Sequence, residues 1–333
     1  DALEDIFSVT KDADGKVTGI SVVTEGSKTE THGGWDKSKV NLNAGGTLSI
    51  SVADIGLTEI GTDGLKTLKE SLVNTGYQGA FNFGTGLTIK LDDALQTEID
   101  SGEVSYDTLV DAGINDVQNV AEGVRVVVDA STATTGINLG NNAGAVKLEG
   151  NTDNLKVTGS LILTNTDGDF VYNEDGELAG VTLSNNASAN FTGTGNVGPL
   201  TKASSATGTS VNLTSTGSNG LNVQGDIDLD NVNVNSGTVN VSGSVNASEQ
   251  LTVNGILNVS GGSGTVSIGN SGATITGGLY AGDITSSGNV DVTGSVYANS
   301  ISLGAGKNLT VGDATSTGYV EVESLNLNDG MLL

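Results

Sequence analysis

A chain of 333 residues with 50 glycines, one proline, no cysteine and only 4% aromatic residues is long enough for two domains but poor in large core fillers. This composition argues against a globular α/β enzyme of the ordinary kind. With 39 acids against 13 basic residues and a net charge of −26, the chain has no basic patch to release counterions from phosphates; nucleic acid and anionic membrane surfaces are therefore excluded as partners. The absence of cysteine rules out disulfides and thiolate metal sites, so the redox compartment is not readable from bridges. A hydrophobic fraction of 36% nevertheless lifts the chain above the disordered class.

Taken in chain order, Phe7-Ser8-Val9 and Gly19-Ile20-Ser21-Val22 flank Asp14-Gly15, which predicts a hairpin because those residues suit the positive φ of a tight turn. Asp12-Ala13-Asp14-Gly15 has the opening of a calcium loop, but position twelve of an EF-hand loop falls on Val23, so the turn is the better reading. The one histidine, His32, stands beside Gly33-Gly34-Trp35 with no nucleophile or orienting acid at a telling spacing, and it reads as a loop residue. Leu65, Leu68, Leu72 and Val73 recur at helical spacing, with Thr62 or Asp63 before them and Gly76 after. Shorter helices are predicted over 106–112 and 116–122, then a strand Val124-Arg125-Val126-Val127-Val128 whose lone arginine calls for an acidic neighbour in the fold. Residues 1–130 thus read as a mixed α/β segment able to cover the open end of the repetitive stretch C-terminal to it.

From about residue 131 one pattern repeats: an apolar–polar–apolar triplet, then two to eight residues of Gly, Ser, Asn, Thr or Asp. Val181-Thr182-Leu183, Val211-Asn212-Leu213, Leu221-Asn222-Val223, Val239-Asn240-Val241, Val290-Asp291-Val292 and Ile301-Ser302-Leu303 are examples. Period two over such short runs means very short strands with one buried face, too short for most sandwiches but suited to stacked coils. The expected fold is mainly β: a right-handed parallel β-solenoid over 131–333 with the N-terminal mixed α/β segment, and a hairpin excursion near 168–183 suggested by Phe170-Val171-Tyr172, Asp175-Gly176 and Gly180-Val181. The frames Gly243–Ala247, Gly277–Ala281 and Gly294–Ala298 place an apolar residue at 245, 279 and 296, a drifting period near 17 that fails at Gly262. Coils of roughly 15–25 residues would give about 8–13 turns and a rod about 40–60 Å long, with outward Asn, Thr, Ser and Asp able to form side-chain ladders.

The glycines here are architecture, since neither a phosphate-binding loop nor a dinucleotide fingerprint sits between a strand and a helix. Carboxylates are the remaining chemistry. Asp226, Asp228 and Asp230 alternate, which on a regular strand points all three to one outward face, where crowded charge would favour Ca²⁺ as the one cofactor to expect or, as in solenoid polysaccharide hydrolases, serve hydrolysis. A solvated acidic face is the plainer reading. Tyr280, Tyr297 and Tyr319 can form an exposed aromatic row for sugar or pack into a groove.

The stretch from Val232-Asn233-Val234 through Leu325-Asn326-Leu327 resembles the passenger regions of bacterial autotransporters and related β-solenoid adhesins. Gly282-Asp283-Ile284-Thr285-Ser286-Ser287-Gly288 is similar to phage tail-fibre repeats, and acidic, cysteine-free S-layer subunits look alike too. The resemblance implies an extracellular structural role without turnover at a bacterial cell surface: a rigid acidic stalk for adhesion or cell–cell assembly. Its partners would be a host or neighbouring cell surface, polysaccharide or a further copy of the chain. The alternatives are a calcium-dependent self-assembling S-layer subunit, a polysaccharide-degrading β-helix enzyme and a tail-fibre domain. With no apolar run near 18 residues, no direct membrane insertion is expected. The chain opens at Asp1 without a charged leader and ends on Met331-Leu332-Leu333 within an expected strand, so it reads as a fragment.

Overall fold

The computed structural model describes residues 7–11, 17–22, 47–49, 59–62, 80–82, 88–90, 93–112, 125–129, 131, 133–143, 145–150, 153–165 and 167–333. The chain divides into two compact units, residues 1–128 with 136–142, and residues 129–135 with 143–333. His32, Trp35, the Asp12–Gly15 turn and the helices expected around Leu65 and over 116–122 lie outside the described residues.

In the first unit the expected hairpin is present: Phe7–Lys11 pairs antiparallel with Val17–Val22, Val9 opposite Ile20. Two short helices, α1 (Asp93–Ser101) and α2 (Tyr106–Asp111), flank the strand Glu103–Ser105. Leu95 and Ile99, one turn apart on α1, are buried, as are Tyr106 and Leu109 of α2 and Val104 between the helices; each short helix is held by this apolar stripe rather than by its own propensity. Sequence periodicity finds α2 and misses α1, whose Leu95–Ile99 pair was the available signal. It also misses that strands here pair in parallel, Thr47–Ser49 with Ala80–Asn82, Glu59–Gly61 with Thr88–Lys90, and Glu103–Ser105 with Arg125–Asp129. The last pair supplies the acid that Arg125 calls for: its guanidinium donates to Glu103 Oε1 at 3.2 Å, with both side chains about half exposed. Such a surface ion pair contributes only about 0–1 kcal/mol.

The second unit is a parallel β-solenoid of about nine turns. Each coil passes three sides in order. Side A stacks residues 154–157, 180–183, 200–202, 227–229, 245–247, 265–268, 283–286, 300–303 and 324–326, every neighbour pair parallel. Side B stacks 160–165, 188–193, 210–215, 231–236, 250–253, 272–275, 290–292 and 309–311. Side C stacks 195–197, 221–223, 239–241, 257–259, 278–280, 295–298 and 319–322. The triplets are these strands. Their flanking residues, such as Val239 and Val241 or Leu251 and Val253, are almost wholly buried, and the middle residue faces out. A narrow three-sided core is filled by Val, Leu and Ile, which is why aromatics are scarce. The exceptions are Phe170 and Phe191, packed edge to face with centroids 5.3 Å apart where the coils are longest.

Register partners give the coil lengths directly. Along side C the equivalent positions are 196, 222, 240, 258, 280, 297 and 321, so coils run from 17 to 26 residues. Leu279 and Val296 are true equivalents, whereas Val245 belongs to side A and merely shares their local text. Near 168–183, where a hairpin excursion is expected, the chain makes a tight antiparallel turn, Asn173 N donating to Glu177 O and Ala179 N to Val171 O, both at 2.9 Å, while the flanking strands also join the stack. Val171–Tyr172 pairs in parallel with 146–147, Gly180–Leu183 pairs in parallel with 154–157, and a single antiparallel bridge, Tyr172 to Leu178, closes the turn between them. Beyond the turn, parallel stacking buries Val181 and Leu183 on the side-A column of Leu155 and Val157.

One corner demands glycine. Gly237, Gly255, Gly277 and Gly294 form a column just ahead of side C. A Cβ on Gly255, Gly277 or Gly294 would fall inside the carbonyl oxygen of the glycine in the coil before it. The same carbonyls accept the inter-coil bonds from Gly278 N at 2.9 Å and Ser295 N at 2.7 Å, so the backbone cannot retreat without breaking the ladder. Gly277→Ala is expected to cost about 1–3 kcal/mol by overpacking. Gly304→Ala, whose new methyl would meet only ordinary van der Waals contact, should change stability by no more than about 0.5 kcal/mol. Thermal and urea unfolding of the two variants compares them.

Candidate functional site

The three aspartates singled out from their alternation do not share a face. Asp228 is outward on side A, where its Oδ1 accepts from Asn246 Nδ2 at 2.8 Å, and Asp226, just before the strand, accepts from Ser244 N at 2.8 Å. Register against the next coil slips between Leu229 and Asn231, and this irregularity turns Asp230 into the corner, where it is 4% exposed. Regular alternation would have kept it outside. Each carboxylate is thus engaged by donors of its own, and among the described residues no group of three or more His, Cys, Asp or Glu is arranged to hold a metal ion.

Asp230 is instead the centre of a buried polar cluster. Its Oδ1 accepts from Lys202 Nζ and from Ser248 Oγ at 2.6 Å; its Oδ2 accepts from Thr209 N at 3.0 Å and Thr209 Oγ1 at 3.1 Å. Lys202 Nζ also donates to Ser248 Oγ at 2.8 Å, so side chains from three successive coils close a triangle. Burial alone would raise the carboxyl pKa, but the hydrogen bonds from Lys202, Ser248 and Thr209 outweigh it and hold the group far below its ordinary value. Ser248 Oγ donates to the Asp230 carboxylate and accepts from Lys202 Nζ, so the triangle of side chains is closed on itself.

Because the folded pKa is depressed, the cluster's stabilisation is fully present above the unfolded carboxyl value near 4 and is lost as pH falls below it. Asp230→Ala leaves Lys202, about a quarter exposed, without its counter-ion, and is expected to cost about 2–4 kcal/mol at pH 7. Asp230→Asn should flatten the decline in stability between about pH 4 and pH 2 relative to wild type. Urea unfolding across that range measures both.

The outward positions of side C form a continuous stripe over seven coils. Asn196, Asn222, Asn240 and Asn258 stand one above the other, and they are followed by Tyr280, Tyr297 and Glu321. Asn258 Nδ2 donates to Asn240 Oδ1 and Asn240 Nδ2 to Asn222 Oδ1, both at 2.9 Å, while Asn196 donates to Asp169 at 2.8 Å. Identical amides at one coil spacing make this ladder. Tyr280 and Tyr297 continue it as stacked rings with centroids 4.9 Å apart and planes 6° from parallel; Tyr319 leans on Tyr297 at 5.5 Å and donates to Glu321 Oε2 at 2.8 Å. Of the two arrangements open to these tyrosines, the rings do touch in a row, with Tyr280 and Tyr297 half-buried along a groove and Tyr319 exposed beside it.

A loop gives this stripe a wall. After Val259 the chain swings out through Ser260–Gly262, and Ser260 Oγ pins it to the preceding coil by donating to the carbonyls of Ser242 (2.6 Å) and Gly243 (2.9 Å). Between wall and ladder lies an open groove of about 940 Å³, lined by the four asparagines, Ser242, Ser260, Gly262 and Tyr280 among others. A second hollow of about 320 Å³ shares Gly262 and Tyr280 and carries the path past Tyr297 to Glu321 and Glu323. No lysine or arginine lines either one.

No family model matches the chain, and neither the curated proteins nor the solved structures contain a match to it.

Proposed function

We infer that this chain is a structural protein of the bacterial cell surface, working outside the cell as a stiff acidic stalk for adhesion or cell–cell assembly. The observation that carries this reading is the unbroken coil-on-coil pairing along side A from residue 154 to residue 326. Nine coils at about 4.8 Å give a rod of roughly 40 Å whose length is set by backbone hydrogen bonds. The whole chain's net charge of −26 favours solubility. The rod's repeated outward rows offer the same weak contact several times over, so that many feeble interactions with a host or neighbouring cell add up by avidity. This role needs no turnover.

Negative-stain electron microscopy of the purified chain, with millimolar Ca²⁺ and again with chelator, tests the reading. Isolated short rods are expected in both conditions, together with retention of chain-coated beads on cell layers above beads carrying an unrelated acidic protein. Ordered sheets that dissolve on chelation would replace the stalk with a calcium-dependent surface-layer subunit.

A further inference from the structure

We propose that side C is a binding site for a neutral polysaccharide, laid along the solenoid axis over the Asn196–Asn258 ladder and the Tyr280–Tyr297 pair. This assignment rests on the adhesin reading and names what the stalk would hold. From Asn196 to Glu321 the stripe crosses seven coils, a track about 30 Å long at one coil spacing per step. A groove of this length and openness fits a chain lying lengthwise rather than a compact small molecule.

The chemistry of the lining selects the class of chain. Side C is the face of a sheet, and its backbone N–H and C=O groups are spent on the coils above and below, so an extended peptide has no strand edge to join. Recognition falls to side chains. Each asparagine amide has two donors and an oxygen with two lone pairs. The ladder bonds of Asn240 take one donor and one acceptor site, leaving one N–H and one lone pair for a ligand. Among the described residues the hydroxyls of Tyr280 and Tyr297 have no hydrogen-bond partner. A row of paired donors and acceptors, repeated every coil, is the complement of vicinal hydroxyls repeated every sugar. One coil spacing is also close to the length of one hexopyranose in an extended chain. The mutual stacking of the two tyrosines covers one face of each ring and makes them a rigid post at the end of the amide track.

Charge removes the other polymers. With no cationic side chain in either hollow, Glu321 and Glu323 at the far end and a chain charge of −26, uronic-acid, sulfated and phosphate-bearing chains are repelled. The wall, held by Ser260 to the carbonyls of two residues in the coil before it, is preorganised, so binding need not order it.

Isothermal titration calorimetry of the whole chain with cellohexaose, hexa-N-acetylchitohexaose, mannohexaose and, as the anionic arm, hexagalacturonate tests the site. At least one neutral hexasaccharide is expected to bind in the millimolar range or tighter, with hexagalacturonate weaker. Tyr280→Ala/Tyr297→Ala and Asn240→Ala/Asn258→Ala should each lose about tenfold or more in affinity. Asn190→Ala/Asn212→Ala, which breaks an amide contact of 2.6 Å on side B, should leave affinity within about twofold. Tyr280→Phe/Tyr297→Phe keeps both rings and removes only the hydroxyls; it should melt as wild type does and lose affinity about threefold. The proposal is overturned if no neutral hexasaccharide binds, if hexagalacturonate binds best, or if the side-B variant loses as much as the groove variants. Chain-coated beads that still hold cells in those cases would leave the adhesin standing without this site; beads that hold none while the sugars bind would remove the adhesin and keep the site.

Discussion

Everything in the solenoid depends on parallel, in-register pairing of each coil with the next. Backbone hydrogen bonds run along the axis, so a residue at a given position sits about 4.8 Å from its counterpart in the coil above. That constraint acts on both faces of every strand. Inward, it stacks Leu221, Val239, Leu257, Leu279 and Val296 into a dry column, where the loss of any one methylene is felt by two neighbours. Outward, it brings like side chains together, which is favourable for amides that can donate to one another and for rings that can stack, and unfavourable for like charges. The chain accordingly has asparagine on asparagine and tyrosine on tyrosine, whereas Asp228 is followed by Asn246 and Asp291 is preceded by Thr274.

Since the sides are fixed by this pairing, variation is pushed into the corners. Coils differ by up to nine residues in length along side C, yet the triplets stay in register throughout. The additional residues leave at turns and return one coil later. The Ser260–Gly262 loop is such an addition, and it turns a flat ladder into a walled groove without altering the core beneath it. Corners that carry no extra residues are instead as tight as the backbone allows, as the glycine column from Gly237 to Gly294 demonstrates.

The same physics decides how much of the molecule is legible in its sequence. Period-two triplets report directly on which residues face inward, so the solenoid, its small aliphatic core and the adjacency of Tyr280 and Tyr297 could all be read without coordinates. Corner geometry could not, because a single-residue slip is invisible in composition and reverses everything after it. Asp230 is the case in point. Counting by twos puts it outside with Asp226 and Asp228, and the slip at 229–231 puts it inside, against a lysine 28 residues earlier in the chain. The segment 168–183 is legible in half: Asp175-Gly176 marks the antiparallel turn over 171–179, but local text does not say that the same strands also pair in parallel with the coil below. In the first unit, the parallel partners Thr47–Ser49 and Ala80–Asn82 lie 33 positions apart; alternating text is there, in Leu48-Ser49-Ile50 and Phe81-Asn82-Phe83, but two isolated triplets do not say which strand pairs with which.

The triangle of Lys202, Asp230 and Ser248 also changes how the rod comes apart. In a stack where each coil touches only its immediate neighbours, stability is a sum of nearest-neighbour terms, and the structure can fray from an end one coil at a time. Here Lys202 reaches across the intervening coil to Ser248, 46 residues further on, so three coils share one buried network. Opening any of them exposes a desolvated charge in another. Fraying that begins at the C-terminal coils therefore meets a cooperative block at this level, and the solenoid should divide into a labile segment beyond residue 248 and a segment around the triangle that yields only as a unit.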